Sequence, residues 1–419
     1  MCSAEMQPAP RGLRLHIGLF GRRNVGKSSL LNALTRQQVS IVSPQAGTTT
    51  DPVEKPMELL PLGPVLFVDT AGLDDDGALG LARTGRSRAV LDRVDLGILV
   101  AERGTWGPFE AALLAELKAR NIPTVVALNK ADLAADSDIP SPDLAGTAAV
   151  PVSALRGEGL DALREALLRA APPDHLDARR LLADLVPPGE VAVLVMPIDA
   201  SAPKGRLILP QVMAIRDVLD GSGLALVVQA RELPRALASL RRPPALVVTD
   251  SQAFQSVAAD VPDAVPMTSF SILMSRLQGD LAAQVRGALA IDTLHGGDRV
   301  LVAEGCTHHP TEEDIGRVKL PRWLETKVGA PLRFETVQGR DFPTDLTPFQ
   351  LVVHCGNCMG NRREMLSRIH RSEAAGVPIT NYGLAIAHTL GILPRALRPF
   401  PEVAASRPTP MEPLHAGQT

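Results

Sequence analysis

The chain has 419 residues, a formal net charge of −3, 45% hydrophobic and 3% aromatic content. That length exceeds one ordinary core and implies two or three domains, while the near-neutral charge provides no basic surface of the kind that holds nucleic acid. Four cysteines, three of them in the last third, argue against a secreted disulfide framework and for a reducing, cytoplasmic setting; no run reaches the ~18 apolar residues of a membrane span.

Residues 1–12 read as a flexible N-terminus with no apolar core of signal-peptide length, and Cys2 as a bystander there. Leu13–Phe20 has the apolar character of a buried strand. It leads into Gly21-Arg-Arg-Asn-Val-Gly26-Lys27-Ser28 and a helical Ser29–Thr35, which is the phosphate-binding pattern in its strand–loop–helix setting. Gly21 and Gly26 let the backbone curl so that the amides of the loop, from Asn24 and Val25 to Ser29, turn toward phosphate oxygens at a helix N-terminus. Lys27 is placed to reach the β- and γ-phosphates and Ser28 to ligate Mg2+.

Three further elements follow at strand ends. Val65–Val68 runs into Asp69-Thr-Ala-Gly72, where Asp69 can hold the Mg2+ shell and the Gly72 amide can sense the γ-phosphate. Thr124–Leu128 runs into Asn129-Lys130-Ala131-Asp132, whose last carboxylate can accept from the guanine N1–H and 2-amino group and so selects GTP over ATP. Val150–Ser153 runs into Ser153-Ala154-Leu155, placed to offer backbone to the guanine O6. Between the first two elements, Gly47-Thr-Thr-Thr-Asp51 resembles a first switch, with Thr49 as the second Mg2+ ligand. The four elements define a P-loop GTPase domain over residues 13–171, with Lys27, Thr49, Asp69 and Gly72 as its catalytic set.

Leu73 occupies the position where Ras-like proteins carry the glutamine that orients water, so intrinsic hydrolysis is expected to be slow or assisted from elsewhere. Asn24 resembles the asparagine of the bacterial Era/MnmE group, some of which use K+ in place of an arginine finger. A loop residue chosen for turn geometry is the other reading of Asn24.

Residues 172–187 read as a linker, opening on Pro172-Pro173 and holding a charged helical stretch, Leu176–Leu185. From 188 to 265 strand and helix alternate: 191–196 then 211–219, 224–228 then 233–240, 245–248 then 253–257. This is a small α/β unit with a parallel sheet and no catalytic spacing, suited to a spacer or a dimerisation module. Residues 266–398 open on one long helix, Ile272–Ile291, followed by strands at Val300–Ala303, Gln350–Val353 and Pro378–Thr380. Residues 399–419, rich in Pro, Ala and polar side chains, read as a disordered tail. The fold class is thus α/β, a P-loop GTPase domain followed by two smaller α/β domains with parallel sheets.

Cys306 and His308 come just after the first of those last strands, and His354-Cys355-Gly-Asn-Cys358 just after the second. Strand ends of a parallel sheet converge on one edge, so these residues can meet. Three thiolates suit a cubane iron–sulfur cluster with one iron left for a weaker ligand; Cys3His zinc uses the same residue types. The strand-end setting, and a helix near Asn361 aimed at the cysteines, favour iron–sulfur over a zinc ribbon. His370, beside Arg368 and Arg371, reads as solvated.

A GTPase domain joined to Cys306-Thr-His308 and His354-Cys355-Gly-Asn-Cys358 resembles the family of [FeFe]-hydrogenase maturation GTPases over residues 13–398. The 45 residues between the two histidines are at or slightly under the short end of that family's range, a minor departure. The resemblance implies three parts: GTPase, dimerisation and cluster-binding. It implies GTP/GDP with Mg2+, and a [4Fe–4S] cluster held by Cys306, Cys355 and Cys358. His308 and His354 match the signature as fourth-position ligands, without a choice between them. It implies a diiron precursor as cargo, with CO, cyanide and dithiolate ligands, received from radical-SAM maturases and delivered to apo-[FeFe]-hydrogenase. It also implies a homodimer or higher oligomer in the cytoplasm, with neither nucleic acid nor membrane as partner. The competing expectation is a ribosome- or tRNA-associated GTPase with a structural zinc module, for which Arg362, Arg363, Arg368 and Arg371 are the local basic cluster.

Overall fold

The computed structural model describes residues 10–35, 53–60, 62–70, 90–133, 144, 146–173, 179–197, 207–305, 314–339 and 341–404. The chain divides into two compact units, Met1–Arg179 and Arg180–Thr419.

The first unit holds a six-stranded sheet of β1 (Leu15–Phe20), β2 (Val53–Leu59), β3 (Gly63–Asp69), β4 (Leu96–Glu102), β5 (Thr124–Asn129) and β6 (Ala149–Pro151). Its order is β2-β3-β1-β4-β5-β6, parallel throughout except for β2, which runs antiparallel to β3. β1 is buried along its whole length because both faces of the sheet are covered. Leu15, Ile17 and Leu19 pack with Leu30, Leu31 and Leu34 of the helix Lys27–Thr35 on one face. Phe20 joins Leu113, Leu114 and Leu117 of the helix Pro108–Ala119 on the other. β1 pairs with β3 on one side and β4 on the other. The strand order reverses there, which opens a crevice beyond the strand ends. Arg11 and Gly12, expected in a flexible terminus, belong instead to a 3-10 turn, and Arg11 pairs with Glu54 at 2.6 Å.

The second unit holds two four-stranded, all-parallel sheets. One is β10-β9-β7-β8, from β7 (Val191–Val195), β8 (Leu224–Val228), β9 (Leu246–Thr249) and β10 (Met267–Ser269). The other is β12-β11-β13-β14, from β11 (Arg299–Glu304), β12 (Arg333–Gln338), β13 (Leu351–His354) and β14 (Ile379–Asn381). β12 escapes sequence reading because Arg-Phe-Glu-Thr-Val-Gln is mostly polar, as suits a sheet edge with one side open.

Three expectations are corrected. The long helix over Ile272–Ile291 is two helices, Phe270–Gln278 and Leu281–Leu289. Asp280 interrupts it by accepting the Ala283 amide on its side chain, an N-cap that starts the second helix afresh. In Leu176–Leu185, residues 176–178 lie outside the described residues and 179–185 form bends and turns rather than a helix, where the Leu182 and Ala183 amides donate to the Asp217 carboxylate. Phe400 and Val403, expected in a disordered tail, are buried in the core beneath the first of the two sheets, with Leu384 and Leu393. Residues 405–419 lie outside the described residues. Gly287 lets the helix Leu281–Leu289 press on β14, since a Cβ there would stand 2.0 Å from the Ile379 carbonyl oxygen.

Candidate nucleotide and metal sites

The chain leaves β1 through Gly21, at φ 143°, and Gly26, at φ 90°. A Cβ on Gly21 would stand 2.2 Å from the Val100 carbonyl oxygen and one on Gly26 2.3 Å from Asn129 Nδ2, so only glycine fits at either place. Asn24 sits in the left-handed region at φ 60°, a conformation asparagine tolerates, which supplies a physical reason for the turn reading. Lys27 Nζ donates to the carbonyls of Gly21 and Arg22 at 3.1 and 2.7 Å, which holds the ammonium across the loop.

Ser28 Oγ donates to Asp69 Oδ2 at 2.6 Å, and Asp69 Oδ1 is buried with no hydrogen-bond partner. Burial raises the Asp69 carboxyl pKa, opposed by Ser28 and by Lys27. A hydroxyl and a carboxylate oxygen side by side, one lone pair unsatisfied, are hard donors that fit Mg2+. Thr49 and Gly72 lie outside the described residues, as does Leu73.

The residues expected to recognise the base lie after two strand ends, those of β5 and β6. Asn129 Nδ2 donates to the Val25 carbonyl at 2.8 Å, and Asn129 Oδ1 accepts the Ala154 amide at 3.0 Å. One side chain thus ties the phosphate loop to the loop after β6. Ser153 Oγ donates to Asp132 Oδ1 at 2.6 Å, the chief reason the Asp132 carboxyl pKa is lowered, and so keeps it an acceptor. Lys130 takes φ 59° and pairs with Glu102 at 2.6 Å. Sequence reading missed the buried Glu110, which fixes Arg22 of the phosphate loop at 2.6 Å while Arg22 lies over the Phe109 ring at 5.0 Å. Nothing local marks that pair, which joins positions far apart in the chain.

In the second unit, β11, β13 and β14 end on one edge, as expected. The Cys355 amide donates to the Ala303 carbonyl at 2.8 Å and so continues the β11–β13 pairing by one residue. Cys355 Sγ accepts from the Gly305 amide at 3.0 Å and the Asn357 amide at 3.4 Å. Amides aimed at sulfur favour the thiolate. Asn357, at φ 50°, is buried with its Oδ1 unpartnered; a Cβ on Gly305 would stand 2.4 Å from that oxygen, which is why glycine precedes Cys306. Asn361 caps the helix Arg362–Ala374 by accepting the Glu364 amide at 3.1 Å, so the helix N-terminus begins shortly after Cys358. Cys355 and Cys358 are both partly exposed. Soft sulfur donors backed by N–H groups and a helix N-terminus fit a thiolate-bound iron–sulfur or zinc centre. Cys306 follows Gly305 in sequence and lies, with His308 and His309, outside the described residues.

His354 does not face the cysteines with a free nitrogen. It is buried, its Nδ1 lies 2.8 Å from the Cys355 carbonyl oxygen and its Nε2 lies 2.6 Å from Arg368 Nη1. Burial first, then the Arg368 charge, pushes its pKa down to about 3. The expectation of His354 as a fourth ligand therefore meets a ring whose nitrogens are both engaged. Arg368, read as part of a surface basic cluster, is in fact 5% exposed. Glu304, also unread in the sequence, is buried beside this edge, accepting from Gln338 Nε2 at 2.8 Å and Tyr382 Oη at 3.5 Å.

Comparison with known proteins follows the same division. Residues 16–130 match the family described as 50S ribosome-binding GTPase. Residues 181–279 match the Hydrogen maturase F dimerization domain and residues 282–399 its tetramerization domain. The tRNA modification GTPase MnmE of Burkholderia thailandensis is 40% identical over 170 residues, 38% of this chain and 35% of that protein. The mitochondrial 5-taurinomethyluridine-[tRNA] synthase subunit GTPB3 of Homo sapiens is 38% identical over 180 residues, 39% of this chain and 36% of that protein. The chain thus spans about a third of the length of these curated relatives. Among solved structures, Aquifex aeolicus Era bound to GDP.AlF4- is 22% identical with a TM-score of 0.34, covering 53% of this chain and 97% of that one.

The six-stranded sheet with its phosphate and base loops defines a P-loop GTPase, similar in this part of the chain to MnmE. Two four-stranded parallel α/β sheets follow it. Carrying both Hydrogen maturase F domains after that GTPase, the chain belongs to the HydF family. Those domains mark it as homo-oligomeric. The matches divide next to Gly279-Asp280, where the expected long helix breaks, rather than at 265–266. No helix among the described residues is long and apolar enough to cross a membrane.

Proposed function

We propose that this GTPase is a scaffold that binds a [4Fe–4S] cluster through Cys306, Cys355 and Cys358, carries the diiron precursor of the hydrogenase centre and delivers it to apo-[FeFe]-hydrogenase. The observation that carries the reading is Cys355 Sγ, which receives two backbone amides at the C-terminal edge of a parallel sheet, one of them from the residue before Cys306. When bound, such a cluster supplies an iron with a replaceable ligand, to which cargo can attach. The protein's own part is to orient the thiolates, and Gly305, Asn357 and the capped helix do that. The precursor, a diiron unit with CO, cyanide and dithiolate ligands, is the substrate, and radical-SAM maturases are its source.

In the GTPase unit, Lys27 would hold the β- and γ-phosphates, and Ser28, Asp69 and Thr49 the Mg2+ shell. The Gly72 amide would read the γ-phosphate, and Asp132 with Ala154 the base. K+ at Asn24 is a further assignment, and a hydrolysis rate equal in KCl and NaCl would remove it.

Self-association has a surface to use. β8 is an edge strand, and Leu224 and Val227 on it are 55% and 44% exposed. Val212 and Leu219 on the helix Leu209–Asp220 add to the apolar surface. An open edge with apolar side chains pairs readily with a second copy.

Anaerobic reconstitution with iron and sulfide, followed by EPR and metal analysis, tests the cluster. A reducible cubane signal with about four irons per chain is the expected result. Stoichiometric zinc with no reducible signal would favour the ribosome- or tRNA-associated alternative instead.

A further inference from the structure

His354 ends β13 with its ring turned toward Phe342, 6.4 Å between centroids, and toward the helix Arg362–Ala374. A guanidinium has only donors, so Arg368 Nη1 must donate to His354 Nε2. Nε2 therefore carries the lone pair, and Nδ1 carries the proton it donates to the Cys355 carbonyl. Arg368 is itself held on several sides. Its Nη2 donates to the Gly339 carbonyl at 2.6 Å and to Glu364 Oε1 at 2.8 Å, and its guanidinium lies 5.1 Å from the Phe342 ring centre. A buried cation fixed this well cannot easily swing away from the histidine.

We propose that Arg368 is a positioning residue that keeps the His354 imidazole from becoming a metal ligand, leaving the fourth iron position to cargo; this rests on the cluster reading above. An imidazole binds metal through its unprotonated nitrogen, and the only one His354 has is occupied by Arg368. The Nδ1–H bond meanwhile ties the ring to the backbone of the cysteine loop. His354 thus serves the site through its hydrogen bonds rather than its lone pair. Removing the guanidinium frees Nε2 on the residue next to Cys355, where it can compete for iron.

The full-length chain, labelled with 15N-histidine and reconstituted anaerobically, tests this by pulsed EPR of the reduced cluster. Wild type is expected to show no nitrogen coupling that His354→Gln removes, and to bind added cyanide at the cluster. Arg368→Met is expected to gain a histidine nitrogen coupling and lose cyanide binding. Arg368→Met with His354→Gln should reverse both, and Arg368→Lys, which keeps a donor, should resemble wild type. A wild-type coupling lost in His354→Gln overturns the proposal, as does an Arg368→Met spectrum identical to wild type. The metal-free wild-type chain provides a second readout by 15N NMR of the histidine rings. His354 protonated at Nδ1 is expected; protonation at Nε2 overturns the proposal even where Arg368→Met does not fold. A chain that takes up no iron defeats the cluster reading, while the NMR tautomer still decides whether Arg368 holds the ring.

Discussion

Asn129 Nδ2 donates to the carbonyl of Val25 at 2.8 Å, so a side chain at the end of β5 holds a phosphate loop 104 positions earlier in the chain. The same carboxamide accepts the Ala154 amide. The loops expected to hold phosphate and base therefore share one link. Asn129→Ala leaves a buried carbonyl and an amide unpaired, a cost of about 1–3 kcal/mol per group. The expected outcome is a lower melting temperature together with at least about tenfold weaker GDP binding by calorimetry. Unchanged affinity in a folded variant would show that the link is dispensable.

Asp132 is held as an acceptor by Ser153. Asp132→Asn turns one guanine contact from attraction to donor–donor repulsion. Two charge-assisted hydrogen bonds are at stake, so GTP affinity should fall on the order of 100-fold while XTP becomes a substrate. Steady-state hydrolysis with both nucleotides measures this, and retained GTP preference would place base recognition elsewhere.

His16 on β1 gives the GTPase unit a pH dependence. Burial is the main cause that brings its pKa down to about 4 from 6.5, and its Nδ1 has no partner that would welcome a proton. The unfolded imidazole protonates near 6.5 and the folded one only near 4. In that window the unfolded state binds more protons, so stability is complete above 6.5 and falls as the pH drops toward 4. The loss is at most about 3 kcal/mol. Urea melts at pH 7.5 and 5 should show a smaller difference for His16→Gln than for wild type; equal differences would exonerate His16.

Cys355→Ala removes the sulfur that receives the Gly305 and Asn357 amides. Iron and sulfide retained after reconstitution and desalting should drop to near background. GTP hydrolysis should stay near the wild-type rate, since the catalytic loops belong to the other unit. A variant that keeps its full iron content would remove Cys355 from the ligand set.

The β8 edge carries the self-association prediction. Leu224→Glu with Val227→Lys places charges on exposed apolar positions and leaves the core below intact. Sedimentation should shift to a smaller species, with unchanged circular dichroism. An unchanged oligomer would assign the contact to another face.

The sequence by itself determined the GTPase and its fold class. Phosphate and guanine recognition is written in short runs after strands, where loop backbone and adjacent side chains meet the ligand directly. The parallel strands β7, β9, β11 and β13 were legible too, because burial on both faces demands unbroken apolar runs. Edge strand β12 was not, since one open side relaxes that demand. Only tertiary structure decided what His354 touches. A histidine beside Cys355 suits a ligand equally well until its partners are known. Arg368, fourteen residues on, takes the Nε2 lone pair by coming from a helix packed on the sheet. The same distance of partners hid Glu110 behind Arg22 and Gln338 behind Glu304. A hydrogen bond depends on which groups meet when elements pack, and local pattern carries no record of that meeting. Cys355 and Cys358 follow the end of β13, where the strand pattern put them. Their histidine neighbour has both ring nitrogens engaged, which its place in the sequence did not show.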